Sequence, residues 1–269
     1  MKKIFLSLVI VLLNAEVIDK IIATINNIPI TSYDLEKTEK KLNLPKDKAL
    51  NYLLDQKLID YEIKKLGIDV DDFELDNAME KIAKQNGLSL FEFKNILLER
   101  GQFDAFKKQL KDNLLKQKLF DQIVQTKLKI TPDEIKNYYN NHKNEFQIFN
   151  TIQVTKYSAN NRQLLLNIKQ NPLSNTNVKT QTVVYDSKNL PLGLLFLFKQ
   201  TKVGDFTPII NDGISYVMFY VANKEGKTYM PFDKAKNIIA NKLISQKREM
   251  ILKEYFSKLK NRADIKFFN

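Results

Sequence analysis

The chain has 269 residues, with 43 Lys and Arg against 31 Asp and Glu, a formal net charge of +12, one histidine and no cysteine. Without cysteine there is no disulfide framework, no thiolate metal site and no lipid-modified cysteine. The lysines are scattered among glutamates and asparagines, not gathered in a basic run with aromatics. They read as a solvated surface and not as a nucleic-acid site.

The first sixteen residues, MKKIFLSLVIVLLNAE, carry Lys2 and Lys3, an apolar run from Ile4 to Leu13 broken only by Ser7, and the small Ala15. This is the order of a secretory signal peptide. The run is about ten residues, half of the roughly twenty that span a bilayer. Residues 1–15 are therefore expected to be a cleaved leader, the mature chain periplasmic with no stable membrane anchor. Losing Lys2 and Lys3 takes the net charge to +10 (12 − 2). An uncleaved N-terminal tether is the rival reading, separated by N-terminal sequencing of the cellular protein.

VIDKIIATINNIPI (17–30) reads as a strand, a turn at Asn26-Asn27 and a short return strand, with Val17, Ile21, Ala23 and Ile25 on one face. Helices follow. TSYDLEKTEKKL begins at a Thr31/Ser32 cap. The next places Leu50, Leu53, Leu54, Leu58 and Tyr61 on one stripe and stops at Gly67. Asp71 with Glu74 opens another, which ends at Asn86-Gly87, and Ser89 with Glu92 forms a capping box. A long helix is predicted from Phe103 to Leu128. The stretch TPDE opens one more, with Thr131 as N-cap and Pro132 at the first helical position.

The texture changes at Phe146. Residues 146–226 hold four of the seven glycines and the β-like runs TIQVTKY, TQTVVYD and ISYVMFYV, with a helical NNRQLLLNIKQ between the first two. A long amphipathic helix then carries Ile238, Ile239, Leu243, Ile251, Tyr255 and Leu259, and the tail ADIKFF alternates like a strand. The expected fold is α+β. A helical domain of residues 16–145 is completed by the C-terminal helix and strand (227–269) and interrupted by a small α+β domain at 146–226.

Several stretches in their order, VIDKIIATINNIPITSYDLE, the LLDQKLIDYEIKKLGIDVDDFELDNAMEKIAKQNGLS segment and LLERGQFDAFKKQLKDNLL, resemble the N-terminal domain of SurA-type periplasmic chaperones. KITPDEIKNYYNNHKNEF resembles the connector before their parvulin domains. The resemblance implies a chaperone that holds unfolded exported polypeptides, outer-membrane proteins above all, without a cofactor, a metal or nucleic acid. The sequence itself assigns no client-binding residue and no oligomeric state. A holdase needs a broad, adaptable apolar surface.

The resemblance also brings an isomerase question. Parvulin domains resemble one another in paired histidines, an Asp or Cys before a Gly-Gly-x-Leu-Gly turn, and a helix that carries Met and Phe to a proline pocket. Here Thr151 fills the first histidine place, and Tyr216 or Val217 the second. Asp186 remains before Leu192-Gly193 without the double glycine, and only 11 positions (204 − 193) separate Gly193 from Gly204. The pocket helix is therefore expected to be lost and the domain to be a weak or inactive peptidyl-prolyl isomerase. An active isomerase with a divergent site is the alternative. His142 lies before the insert in a polar context and is read as an exposed, bland residue. No Gly-rich phosphate loop, metal-ligand spacing or Gly-x-Ser-x-Gly elbow is present. The acidic clusters DVDDFELD and TPDE are helix starts facing the positive end of the macrodipole.

Overall fold

The computed structural model describes residues 19–171 and 177–268; the expected leader, residues 1–15, lies outside them. The elements run β1 (Ile21–Ile25), β2 (Ile28–Thr31), α1 (Ser32–Leu42), α2 (Lys46–Lys65), α3 (Asp72–Gln85), α4 (Leu90–Glu99) and α5 (Phe103–Gln125). There follow α6 (Pro132–Asn141), β3 (Gln147–Ile148), β4 (Thr151–Ala159), α7 (Arg162–Gln170), β5 (Lys179–Asp186) and α8 (Leu192–Gln200). The chain closes with β6 (Ile210–Asn211), β7 (Tyr216–Glu225), β8 (Thr228–Tyr229), α9 (Phe232–Arg262) and β9 (Ile265–Phe267).

Two compact units result, Met1–Lys127 with Glu249–Asn269, and Leu128–Arg248. The chain leaves the first unit and returns to it, but the breaks do not fall at 145/146 and 226/227. The second unit is wider because Ile135, Tyr138 and Tyr139 of α6 and Ala235 and Ile239 of α9 share one apolar core with Phe146, Phe198 and Phe219. Burial of those side chains decides the boundary, where sequence texture marked only the onset of strands.

In the first unit, Asn26 and Asn27 join β1 to β2 in a two-residue turn, both at positive φ (47° and 65°). Asn tolerates that left-handed region, which the turn of a tight hairpin demands. β9 then pairs antiparallel with β1, Ile25 opposite Ile265 and Ala23 opposite Phe267, so the two ends of the unit meet in one sheet of order β2-β1-β9. Three helices start on reciprocal capping boxes, Thr31 with Asp34, Asp71 with Glu74 and Ser89 with Glu92. Each such cap is worth about 0.5–2 kcal/mol. α5 stops at Gln125, short of Leu128, where the Thr126 hydroxyl donates to the Ile123 carbonyl. Ala23, Ile25, Ile30, Leu54 and Leu58 form the core beneath the sheet. The buried carboxylate of Glu62 accepts from the Tyr255 hydroxyl at 2.7 Å and from Lys65 at 3.3 Å, which offsets its desolvation.

In the second unit, β4 lies between β5 and β7 in an antiparallel sheet of order β5-β4-β7-β6. The β4–β5 register is unbroken from Thr151–Asp186 to Ser158–Lys179; the β4–β7 register carries a bulge at Gln153/Val154. Side chains alternate between faces. Ile152, Val154, Val217, Phe219 and Val221 meet Leu195 and Phe198 of α8 on one side. Ala159 and Met218 meet Leu165 and Ile168 of α7 on the other. The stretch expected to have lost its helix thus holds α8. Pro191 starts it, and Leu195 and Phe198, three positions apart on one face, are fully buried and hold it to the sheet.

Candidate functional site

Among the apolar groups that the first unit leaves uncovered, two places stand out. One is a groove of about 410 Å³ whose apolar lining is Ile22, Leu35, Leu50, Phe267 and Phe268. That volume lies within the ~300–1,000 Å³ of ligand clefts. The capping box at Thr31 sets where α1 begins and so where Leu35 points. The backbone N–H of Phe268 donates to the Ile22 carbonyl at 2.9 Å, which continues the β1–β9 ladder past its last paired residue. Phe267 and Phe268 nevertheless remain 63% and 48% exposed. Ser32, Glu36, Glu39 and Lys46 form the polar rim. Asp19 fastens this edge, accepting from the Ser32 hydroxyl at 3.2 Å and the Tyr33 N–H at 3.0 Å. The Tyr33 N–H holds the Asp19 carboxyl below the usual carboxylate range.

The other place is the α3–α4 hairpin, clamped by Lys94 Nζ on Asp76 at 2.8 Å. Its core stripe is Leu75 and Met79, with Leu90 packed against them. Phe73 lies two positions before Leu75, on another side of α3, and is 75% exposed. Phe91 and Leu98, seven apart on α4, share its outward face and are also exposed. Sequence reading missed all five exposed groups, Phe73, Phe91, Leu98, Phe267 and Phe268. A signal existed, since an aromatic off the apolar stripe of an amphipathic helix has no core to enter.

In the second unit two of the isomerase positions lie together and the third lies apart. Thr151 stands opposite Asp186 on β5 and opposite Glu225 on β7, at one end of the sheet. Tyr216 pairs with Ala159 at the other end of β4, and Val217 pairs with Ser158 beside it. Strand register therefore does not bring Thr151 and Tyr216 together; on β7 the neighbours of Thr151 are Glu225 and Asn223, which hydrogen-bond to each other at 2.8 Å. The Asp186 carboxylate accepts the Lys188 N–H at 2.8 Å, an Asx turn that shapes the chain after β5. His142 is the C-cap residue of α6, exposed, its ring stacked on Tyr138 at 4.1 Å and its Nδ1 2.9 Å from the Tyr138 carbonyl.

What the second unit does gather is an aromatic row. Phe206 lies 5.8 Å from Tyr157 and 5.1 Å from Tyr220, ring centre to ring centre, and all three are half-buried. The buried Thr207 positions the row. Its hydroxyl accepts the Phe219 N–H and donates to the Pro208 carbonyl, both at 3.0 Å. Among the described residues no group of three or more His, Cys, Asp or Glu could hold a metal, and no helix is long and apolar enough to cross a membrane.

Residues 18–120 match the family described as SurA N-terminal domain, and residues 132–224 the family described as Cj1289-like, C-terminal domain. A solved structure from Campylobacter jejuni is 30% identical with a TM-score of 0.69, covering 93% of this chain and 100% of its own. It comes from work describing the virulence factor PEB4 and the periplasmic protein Cj1289 as two structurally related SurA-like chaperones. The chaperone SurA of Hydrogenovibrio crunogenus is 27% identical over 137 residues, 45% of this chain but only 30% of that protein's length. The foldase protein PrsA of Caldanaerobacter subterraneus subsp. tengcongensis is 24% identical over 243 residues, 86% of this chain and 73% of that one.

Proposed function

The chain belongs to the family of SurA-like chaperones, and from that premise we propose that it is an exported holdase which keeps unfolded polypeptides, outer-membrane proteins among them, from aggregating. The carrying observation is the uncovered apolar groove of the first unit, floored by Ile22, Leu35 and Leu50 and edged by Phe267 and Phe268. Each client Phe or Leu side chain buried there is worth about 1.5–3 kcal/mol, enough to retain a segment without a fixed sequence. The mixed Glu36, Glu39 and Lys46 rim keeps the groove wet at its edge. No phosphate-binding motif exists in the sequence, so holding proceeds without ATP.

The second unit fits a parvulin-like domain with eroded chemistry. Rotation about an X–Pro bond faces a barrier of about 18–20 kcal/mol. Thr151, Asp186 and Tyr216 offer no imidazole, and Tyr216 lies at the far end of β4 from the opposed Thr151 and Asp186. On this reading its isomerase activity is weak or absent.

The test is light scattering from a chemically unfolded outer-membrane protein diluted into buffer without nucleotide. Near-stoichiometric mature protein should suppress aggregation, and the pair Phe267→Asp and Phe268→Asp should reduce suppression several-fold while leaving the circular dichroism spectrum intact. Undiminished suppression by the folded double variant would remove the groove from the reading. The aromatic row favours a second reading, an active isomerase that seats proline on Phe206. Turnover of an Ala-Pro peptide that disappears in Phe206→Ala would carry it.

A further inference from the structure

Natural sheets blunt their edges with proline, bulges, inward charges or very short strands, because an open edge pairs with any extended chain. β5 has none of these devices. It is eight residues long, KTQTVVYD, pairs on one side with β4 in unbroken register, and has no second partner strand among the described residues. Its only charges, Lys179 and Asp186, stand at its two ends. Between them Thr, Val and Tyr favour extended backbone on a half-covered surface, and Gln181 adds no charge. Val184 is 64% exposed although the strand is in place.

We infer that the free edge of β5 is a strand-addition site, which takes an extended segment of a non-native polypeptide as the fifth strand of the β5-β4-β7-β6 sheet. The edge chemistry selects that occupant. Every second residue of an edge strand turns its N–H and C=O outward, and such a ladder is matched only by another extended backbone. Recognition through the backbone tolerates many sequences, as a holdase requires. Side chains add a preference. Val184 on one face, and Val183 with Tyr185 on the other, would flank the incoming strand, favouring segments rich in β-branched and aromatic residues over charged ones. On the Val184 face the sheet continues through Gln153, Thr155 and Tyr157 to the Tyr220 and Phe206 rings. A segment held at the edge therefore lies beside an aromatic surface that can collect its apolar side chains.

The inference rests on the holdase reading but assigns the second unit a task of its own. The test uses the full mature chain, isotope-labelled, and a ten-residue peptide of alternating Val and Thr, compared with a twin N-methylated at four adjacent central residues, so that either edge of the twin loses two N–H donors. Binding should slow exchange of alternate β5 amides between Thr180 and Tyr185 about tenfold. Loss of two backbone hydrogen bonds should weaken the methylated twin by about tenfold or more. Val184→Lys, at an exposed position, should weaken binding with unchanged fold.

Equal affinity for the two peptides would overturn the inference. Protection confined to amides around Leu35 and Phe267 would overturn it while leaving the holdase reading standing. Protection of β5 in the free protein that grows with its concentration would assign the edge to a second copy and overturn it too. Absence of binding to any unfolded polypeptide would overturn both readings.

Discussion

The helical unit and the sheet unit are built from different kinds of instruction. In the first, three of the five helices that follow β2 start on boxes closed within four residues of chain, and the tight turn is two adjacent asparagines. In the second, α6 opens on such a box at Thr131 and Glu134, but α8 starts without a side-chain cap and α7 on the single Asn161–Gln163 bond. Its architecture depends instead on pairings between distant residues, Thr151 with Asp186 and with Glu225. Local instruction fixes elements cheaply and leaves surface aromatics free for other use, as at Phe73 and Phe91. Long-range pairing must close loops before contacts reward it, and it draws large side chains into cores on both faces of one sheet. The same contrast runs through function. The helical unit offers exposed side chains, the sheet unit an exposed backbone.

The largest loss of stability should come from removing the largest fully buried side chain. Phe198→Ala should cost about 3–5 kcal/mol, because Phe198 touches Phe219 edge-on at 5.0 Å beneath the sheet. Hydrogen exchange should accelerate across β4 and β7, while amides of β1, α2 and α3 keep their protection. Leu58→Ala, costing about 2–5 kcal/mol, should do the reverse. Uniform loss of protection in either variant would mean that the two units unfold as one.

How much could be read in advance follows the same division. The caps at Thr31, Asp71, Ser89 and Thr131, the Asn26-Asn27 turn and the pairing of β1 with β9 are legible because each signal lies within a few residues or in a short alternating stretch. The long strands are legible as well, from alternation. Their register is not. Placing Tyr216 as a counterpart of Thr151 requires knowing that β7 runs with Glu225, not Tyr216, beside Thr151, and no local motif encodes that. α8 escaped because a nine-residue helix on a mostly apolar run lacks a polar stripe to betray its period. The groove escaped for another reason. Phe267 and Phe268 belong to a tail whose alternation predicts burial of one side, whereas the structure leaves both exposed.

A smaller perturbation sharpens the view of the helical unit, where one long-range polar contact ties α2 to α9. Tyr255→Phe leaves the buried Glu62 carboxylate with Lys65 alone and should cost about 1–3 kcal/mol in chemical unfolding. It should also change the alkaline limb. Burial first, and then the hydrogen bond to Glu62, push the Tyr255 phenol up to about 12. An unfolded tyrosine titrates near 10. Between pH 10 and 12 the unfolded chain sheds a proton that the folded chain keeps, so this contribution is complete below pH 10 and is lost as the pH rises through that window. The difference in stability between the native protein and Tyr255→Phe should therefore shrink from pH 10 to pH 12. A constant difference would detach the phenol from the tie.

The smallest expected effect bears most directly on local instruction. Asn27 sits at φ 65°, in the second place of a two-residue hairpin turn, where glycine is the favoured residue. Asn26 must stay, because its side-chain oxygen accepts the Asp264 N–H at 3.1 Å, while its own N–H donates to the Asp264 carbonyl at 2.9 Å; together they tie the turn to the strand that closes the unit. Asn27→Gly removes the steric cost of a left-handed residue but frees the unfolded chain, and the two terms oppose each other. With the turn already closed on both sides by β1 and β9, relief of strain should win by a few tenths of a kcal/mol, seen as a small rise in the denaturant midpoint at unchanged slope. A drop of 1 kcal/mol or more would show that the Asn27 side chain itself supports the hairpin, and that this turn is held by more than the geometry of its two residues.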